Sequence, residues 1–212
     1  MFYAFHMAKV SYRFRFYPNK TQQALLRRYF GCKRFVWNTC LSWRSNLYHS
    51  LNESVNVVDF SQELTWLKRL DGYAWLREVP ATVLIQGLRD QDRAFRNFFE
   101  GRADYPNYKA RHHAQSIRLQ IDQRRVASYY RAGEWLKLPG LGRLKIRWSR
   151  IPHGIPKMVT VALDRSGRYF VSFSVEETVT PKAAVGKAVG IDLGVRDAVI
   201  LSDGNRHSNP RH

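Results

Sequence analysis

The chain has 212 residues, 44% of them hydrophobic, and a formal net charge of +18. That length supports one or two packed domains, and such an excess of cations points to a polyanionic partner held through its phosphates. No stretch approaches the ~20 apolar residues of a membrane span, and the opening MFYAFHM lacks the basic flank and apolar run of a signal peptide, so a cytoplasmic protein is expected.

The charge is unevenly placed. Residues 1–50 hold nine Lys/Arg and no Asp or Glu, and residues 101–150 hold twelve against three. Residues 51–100 carry six against eight, and residues 151–212 eight against six. Two basic blocks therefore bracket a near-neutral one. The two cysteines, Cys32 and Cys40, lie eight apart in a helical pattern and suit small core positions. Without a C-x-x-C pair, no structural zinc site is expected.

Residues 8–17 alternate. Val10, Tyr12, Phe14 and Phe16 form one face of a strand, and Ser11, Arg13 and Arg15 form the other. Solvation explains the two arginines as well as phosphate contact does. Pro18-Asn19 breaks the strand, and Asn19 with Gln22 predicts a capping box. A helix with Leu25, Leu26, Tyr29 and Phe30 follows, interrupted at Gly31. A second helix carries Phe35, Val36, Leu41, Leu47 and Tyr48, with Arg34, Asn38 and Arg44 on its polar side. Two helices joined at a glycine suggest a helix-turn-helix. Residues 51–59 read as a loop, Ser61 as the cap of a helix with Leu64, Leu67 and Leu70, and Asp71-Gly72 as its end. Pro80 then opens a helix whose apolar stripe is Leu84, Leu88, Gln91, Phe95, Phe98 and Phe99. Arg89, Arg93 and Arg96 form a basic row on its other side. The loop 101–115 interleaves Tyr105 and Tyr108 with Lys109, Arg111, His112 and His113, a composition suited to stacking on bases while cations hold phosphates.

From residue 116 the period becomes two. Ile117, Leu119 and Ile121 alternate with Arg118 and Gln120, and Leu144, Ile146 and Trp148 with Arg143, Lys145 and Arg147. Residues 157–164 and 168–176 join at Arg165-Ser166-Gly167 as a hairpin. Five short strands with the one at 8–17 predict a small antiparallel barrel, the helical block being inserted after its first strand. Residues 178–187 read as a linker. Last comes KAVGIDLGVRDAVILSDG, read as a short buried strand with Asp192 at its end between Gly190 and Gly194, then a second apolar run and a turn at Ser202-Asp203-Gly204. An aspartate there is a turn residue or a ligand for divalent metal at a phosphodiester.

The order YRFRFYPNKTQ, FGCKRFVWN, VPATVLIQGLRDQDRAFRNFFEG, YPNYKAR, FVSFSVEE and VGIDLGVRDAVILSDG resembles the TnpB family, the OrfB "transposase" proteins of bacterial insertion sequences, over residues 8–210. The resemblance implies an α+β protein: an antiparallel wedge β-barrel with an inserted α-helical recognition lobe, then the first strands of an RNase-H-like (RuvC) nuclease domain. The matching divisions are a first wedge strand at 8–18, the lobe at 19–115, the rest of the barrel at 116–180 and the nuclease start at 187–212. It further implies RNA-guided, magnesium-dependent cleavage of double-stranded DNA beside a short motif, with a guide RNA from the transposon end and association with the bacterial nucleoid when bound. Asp192 matches the first catalytic, Mg-binding aspartate. Gln86 falls on the helix that faces the target-adjacent motif in relatives, where Ile85-Gln86 replaces paired glutamines, and Ser61 matches a position near the same DNA.

The family continues much further than Asn209-Pro210-Arg211-His212. The later segment carries two more catalytic carboxylates and a cysteine zinc site, so this chain is expected to be catalytically incomplete unless a separate polypeptide supplies the rest of RuvC. The alternatives are a nuclease-inactive RNA-guided DNA-binding repressor and an inactive transposon remnant.

Overall fold

The computed structural model describes residues 6–52, 56–179, 186 and 188–209. The chain divides into two compact units, one holding Met7–Thr178 and one formed around Val179–His212. The linker expected at 178–187 and the opening MFYAFHM fall largely outside the described residues.

Strand β1 (His6–Phe16) follows its alternation. Tyr12, Phe14 and Phe16 are buried, while Ser11 and Arg13 are exposed. Proline then ends pairing, and Asn19 starts helix α1 (Lys20–Leu51) with the expected reciprocal cap. The Asn19 carboxamide oxygen accepts from the Gln22 amide at 2.8 Å, and the Gln22 side chain accepts from the Asn19 amide at 3.1 Å.

The expected break at Gly31 does not occur: α1 is one helix of 32 residues. A glycine costs a helix only about 1 kcal/mol. The buried stripe Leu26, Tyr29, Phe30, Val36, Trp37, Cys40, Leu41 keeps helical spacing straight through it. Packing on both sides holds one register. Helix α2 (Val57–Leu67) also starts earlier than expected. Asn56, with Asp59 three residues on, forms a capping box, so Ser61 lies inside the helix and caps nothing. After a 3-10 stretch at Asp71–Glu78 comes α3 (Ala81–Phe99), with Pro80 at its cap position. Helix α3 packs on α1 and α2 and against the sheet.

The strands that follow are β2 (Gln115–Gln120), β3 (Tyr130–Arg131), β4 (Trp135–Leu138), β5 (Gly142–Leu144), β6 (Ile146–Arg147), β7 (Met158–Leu163) and β8 (Tyr169–Val179). A short helix, α4 (Val126–Tyr129), precedes β3. The closed barrel of the sequence reading is not formed among the described residues. Instead β2-β7-β8-β1-β6 make a five-stranded curled half-barrel, and β3-β4-β5 a separate three-stranded sheet. The run 143–147, one strand by its period, switches sheets at Lys145. Before it, Arg143 pairs with Lys137; after it, Ile146 pairs with Phe16. Alternation survives the switch, with Leu144 buried and Arg143, Lys145 and Arg147 exposed. Inward faces of both sheets share one core with the helices, including Phe14, Phe16, Ile117, Val161, Phe173, Leu136, Leu26 and Leu84. The helices enter the chain between β1 and β2, as expected.

In the second unit, β9 (Ile191–Asp192), β10 (Asp197–Leu201) and β11 (Arg206–Ser208) form an antiparallel meander in the order β11-β10-β9. The sequence reading foresaw two of these strands, but expected the first to be buried, whereas Ile191 of β9 is 67% exposed. The third, Arg-His-Ser, carries no apolar periodicity to reveal it.

Candidate nucleic-acid interface

The outward face of the half-barrel is polar because the strand period leaves every second residue unburied. Arg118, Thr160 and Ser172 stand side by side across β2, β7 and β8. Next to them the hydroxyls of Ser174 and Ser11 meet at 2.8 Å. This face floors a groove of about 1050 Å³. Its cationic side chains are Lys9, Arg13, Arg93, Arg118, Arg150 and Lys157, from three elements and a loop. Among the described residues Glu176 is the one carboxylate lining it, and Lys157 approaches that group at 3.9 Å.

Packing fixes several of these cations. The Arg13 guanidinium lies 4.0 Å from the Phe170 ring centre, and Arg150 lies 4.7 Å from that of Tyr12 while donating to the Ser11 carbonyl. Beneath them the Tyr12 hydroxyl donates to Glu177 at 2.7 Å, as does the His153 amide at 2.9 Å. Partial desolvation opposes ionisation of Glu177, but these two hydrogen bonds outweigh it and hold its carboxyl below the ordinary value. Arginines already immobilised on rings lose less side-chain entropy when a phosphate arrives.

A second concavity of about 230 Å³ lies between α1 and the loop before β2. Between the two sits Asp90 of α3, which pairs with Lys33 of α1 at 2.9 Å and with Arg118 of β2. One carboxylate thus ties three elements and serves cations of both concavities. A third hollow, of about 750 Å³, is lined by Phe95, Phe98, Phe99 and Tyr105 near the C-terminal end of α3.

Of the residues expected to bind nucleic acid, Arg13, Arg93 and Arg118 line the groove, and Arg34 and Lys109 line the smaller concavity. Arg89, Arg96, Tyr108, Arg111, Arg143, Lys145 and Arg147 are exposed elsewhere, Arg143 against the Trp135 ring at 5.0 Å. Arg15 is half-buried, its guanidinium 5.5 Å from the Tyr17 ring centre. Tyr105 packs edge-on against Phe95 and Phe98 and bonds Ser45.

Three expectations are corrected. Arg44 is buried, paired with Asp92 at 3.3 Å and stacked on Phe95, because its helical spacing continues the core stripe. Gln86 is buried, 5% exposed, because its helical spacing puts it on the packed face of α3 with Val83 and Leu84. Asn38 spends its carboxamide on the Lys109 backbone, donating at 3.0 Å and accepting at 2.8 Å, and pins the loop to α1. Ser61, expected near DNA, is half-buried within α2, where its backbone carbonyl accepts from the Thr65 hydroxyl and its own hydroxyl is not called on by the helix cap. The sequence reading missed Lys9, which shares the face of Ser11 and Arg13 and was legible from the period. It also missed Arg150 and Lys157, in irregular flanks with no periodic signal, and Lys33, masked within an apolar stripe.

Asp192 ends β9, opposite Ile200, with an exposed side chain. Gly190 closes the meander, its carbonyl accepting from Ser202 and its amide donating to the Ser202 hydroxyl at 2.9 Å. Among the described residues no group of three or more His, Cys, Asp or Glu gathers to hold a metal ion. His112 and His113 stack edge-on, and His113 Nδ1 accepts from the Ala110 amide. Cys32 and Cys40 are buried and unbridged, and burial pushes both thiols up to about 11. No helix among the described residues is long and apolar enough to cross a membrane.

Residues 7–53, a span that takes in β1 after its first residue and the whole of α1, match the helix-turn-helix domain of OrfB proteins. The chain is 41% identical over 206 residues to a Streptomyces pristinaespiralis protein whose name marks it as a candidate RNA-guided DNA endonuclease, covering 96% of this chain and 50% of that one. It is 31% identical over 199 residues to Escherichia coli InsQ, also named a candidate RNA-guided DNA endonuclease, covering 92% of this chain and 47% of InsQ. The chain therefore spans about half the length of the curated relatives it matches. With the OrfB domain on the strand and helix that open the fold, and these relatives aligned along nearly all of its length, the chain belongs to the TnpB/OrfB family of insertion-sequence proteins.

Proposed function

We propose that this chain carries the nucleic-acid-binding part of a transposon-associated RNA-guided DNA endonuclease, holding a guide RNA and its DNA target by their phosphate backbones. The observation that carries the reading is the groove on the half-barrel, where six cations and a floor of hydroxyls face one carboxylate. Such a surface, with cations in excess over a floor of hydroxyls, fits a sugar-phosphate backbone, in keeping with sequence being read by guide pairing. The aligned relatives, both named for RNA-guided DNA cleavage, supply the class of partner.

We further infer that β9–β11 open an RNase-H-like nuclease domain with Asp192 as its first catalytic aspartate. An exposed carboxylate at a strand end, beside a tight antiparallel meander, supports this. Magnesium would supply charge stabilisation and an activated water at a phosphodiester. The described residues do not fit the ion by themselves, because no second ligand set gathers around Asp192. No cleavage step is derived from them, and this chain alone is expected not to cut DNA.

The test is co-purification. RNA recovered with the chain expressed beside its own transposon end should be enriched in transcripts of that end over a scrambled control. Equal recovery of both would refute guide binding. Magnesium-dependent cleavage by the isolated chain, abolished by Asp192→Ala, would overturn its incompleteness.

A further inference from the structure

We infer that the smaller concavity between α1 and the loop before β2 is a discrete phosphate-binding pocket. It deepens the nucleic-acid reading above and rests on it for its source of phosphate. The pocket is built from Lys33, Arg34 and Trp37 of α1 and from Lys109 and His113 of the loop, with Asp90 of α3 also in its lining. Asp90 is already shared by Lys33 and Arg118. Two cations therefore face the cavity without a carboxylate among the described residues. Arg34 Nη1 donates to the neutral Gln115 carboxamide at 2.9 Å, and the Lys109 ammonium lies 4.5 Å from the centre of the Trp37 ring.

Three features make this a built site. Trp37 is only 6% exposed, and its indole N–H donates to the Asn107 carbonyl at 3.0 Å, so the ring beneath Lys109 is fixed. Asn38 clamps the Lys109 backbone from both sides. The Lys33 side chain, 14% exposed, is fixed in the pocket wall by its ion pair with Asp90. At about 230 Å³ the pocket is below the size of ordinary small-molecule sites and suits one phosphate with its sugar, not a run of nucleotides. Lys109 already covers the Trp37 face, which favours an anion over a stacked base.

The phosphate can be an internal phosphodiester or a strand's terminal monophosphate, and the test separates them. The full chain is titrated with a 5′-phosphorylated and a 5′-hydroxyl single-stranded oligonucleotide at several salt concentrations. The comparison runs over the unsubstituted chain, Lys109→Gln, Arg34→Gln/Lys109→Gln and, for the groove, Arg150→Gln. Lys109→Gln spares the loop, since Asn38 bonds only its backbone, and thermal melts confirm folding. An internal phosphodiester predicts equal affinity for both strands, about tenfold weaker in the double variant, with the salt slope shallower by about 0.7 per lost contact. A terminal phosphate predicts tighter binding of the phosphorylated strand alone, lost in the double variant. Inorganic phosphate should in addition shift the Trp37 indole resonance in the unsubstituted chain and not in the double variant. Unchanged affinity, slope and Trp37 resonance in the folded double variant would overturn the pocket. An effect of the double variant with none from Arg150→Gln would instead count against the groove.

Discussion

Asp90→Asn should make the protein less stable and a tighter binder of nucleic acid at the same time. Asp90 holds Lys33 and Arg118, and the three side chains are 25%, 14% and 21% exposed. Exposed pairs are worth about 0–1 kcal/mol and breaking buried ones costs about 3–5. A hub of intermediate burial should lose about 2 kcal/mol. For a domain of this size that is a fall in Tm of roughly 4–8 °C. Meanwhile Lys33 and Arg118, one in each concavity, become free for phosphates. The salt slope on duplex DNA should steepen by up to about 1.8 if both engage. Thermal melts and binding isotherms at several salt concentrations read the two effects. Glu78→Gln is the control, because the Arg28–Glu78 pair is 57% and 48% exposed and should move stability by less than about 0.5 kcal/mol. An Asp90→Asn protein with unchanged Tm, or with weaker binding and a shallower slope, would refute the reasoning.

Gly140→Ala should cost about 2–4 kcal/mol in urea unfolding, since its φ of +74° suits glycine and an added Cβ would lie 2.2 Å from the buried Tyr29 hydroxyl. The thiols of Cys32 and Cys40 should be inert to a thiol reagent in the native protein and react on unfolding. Their folded values, about 11 against an ordinary 9.0, mean that the native state keeps protons the unfolded state loses. Stability should be intact below pH 9 and fall between pH 9 and 11, by about 2 kcal/mol per thiol at the upper end. A flat alkaline profile would contradict that burial. At the acid end the sign reverses. Desolvation opposes it, but bonds from the Arg168 amide, Ser166 and the Arg168 side chain hold Asp164 well below the carboxylate range, and Glu177 is likewise depressed. Their contribution is present above the ordinary carboxylate values and lost as pH falls below them. Asp164→Asn/Glu177→Gln should therefore show a shallower acid limb in melts against pH.

What the sequence made legible is what short-range pattern controls. The alternation of Tyr12, Phe14 and Phe16, the Asn19–Gln22 cap and the turn from Asp164 to Arg168 are local, and the structure contains them. The break at Gly31 was misjudged because a glycine's local cost is small beside the tertiary packing of Tyr29 and Phe30 before it and Val36 and Trp37 after it. The barrel was misjudged at Lys145, where the period of two continues while the chain changes sheet. Arg44 and Gln86 look polar in sequence, yet their helical spacing places them on buried faces. Arg150 and Lys157 were illegible because only the folding of β7 and β8 brings their loop to the groove.

The central claim is that the groove on the half-barrel holds phosphates. The most direct test is the salt dependence of RNA and duplex DNA binding, at ~50–200 mM, for the unsubstituted chain and for Arg13→Gln/Arg150→Gln/Lys157→Gln. The account predicts a steep slope, near −4.5 on duplex DNA if the five groove cations not held by Asp90 engage, and a slope shallower by about 3 in the triple variant. A flat dependence, or a triple variant that binds like the unsubstituted chain, would contradict it.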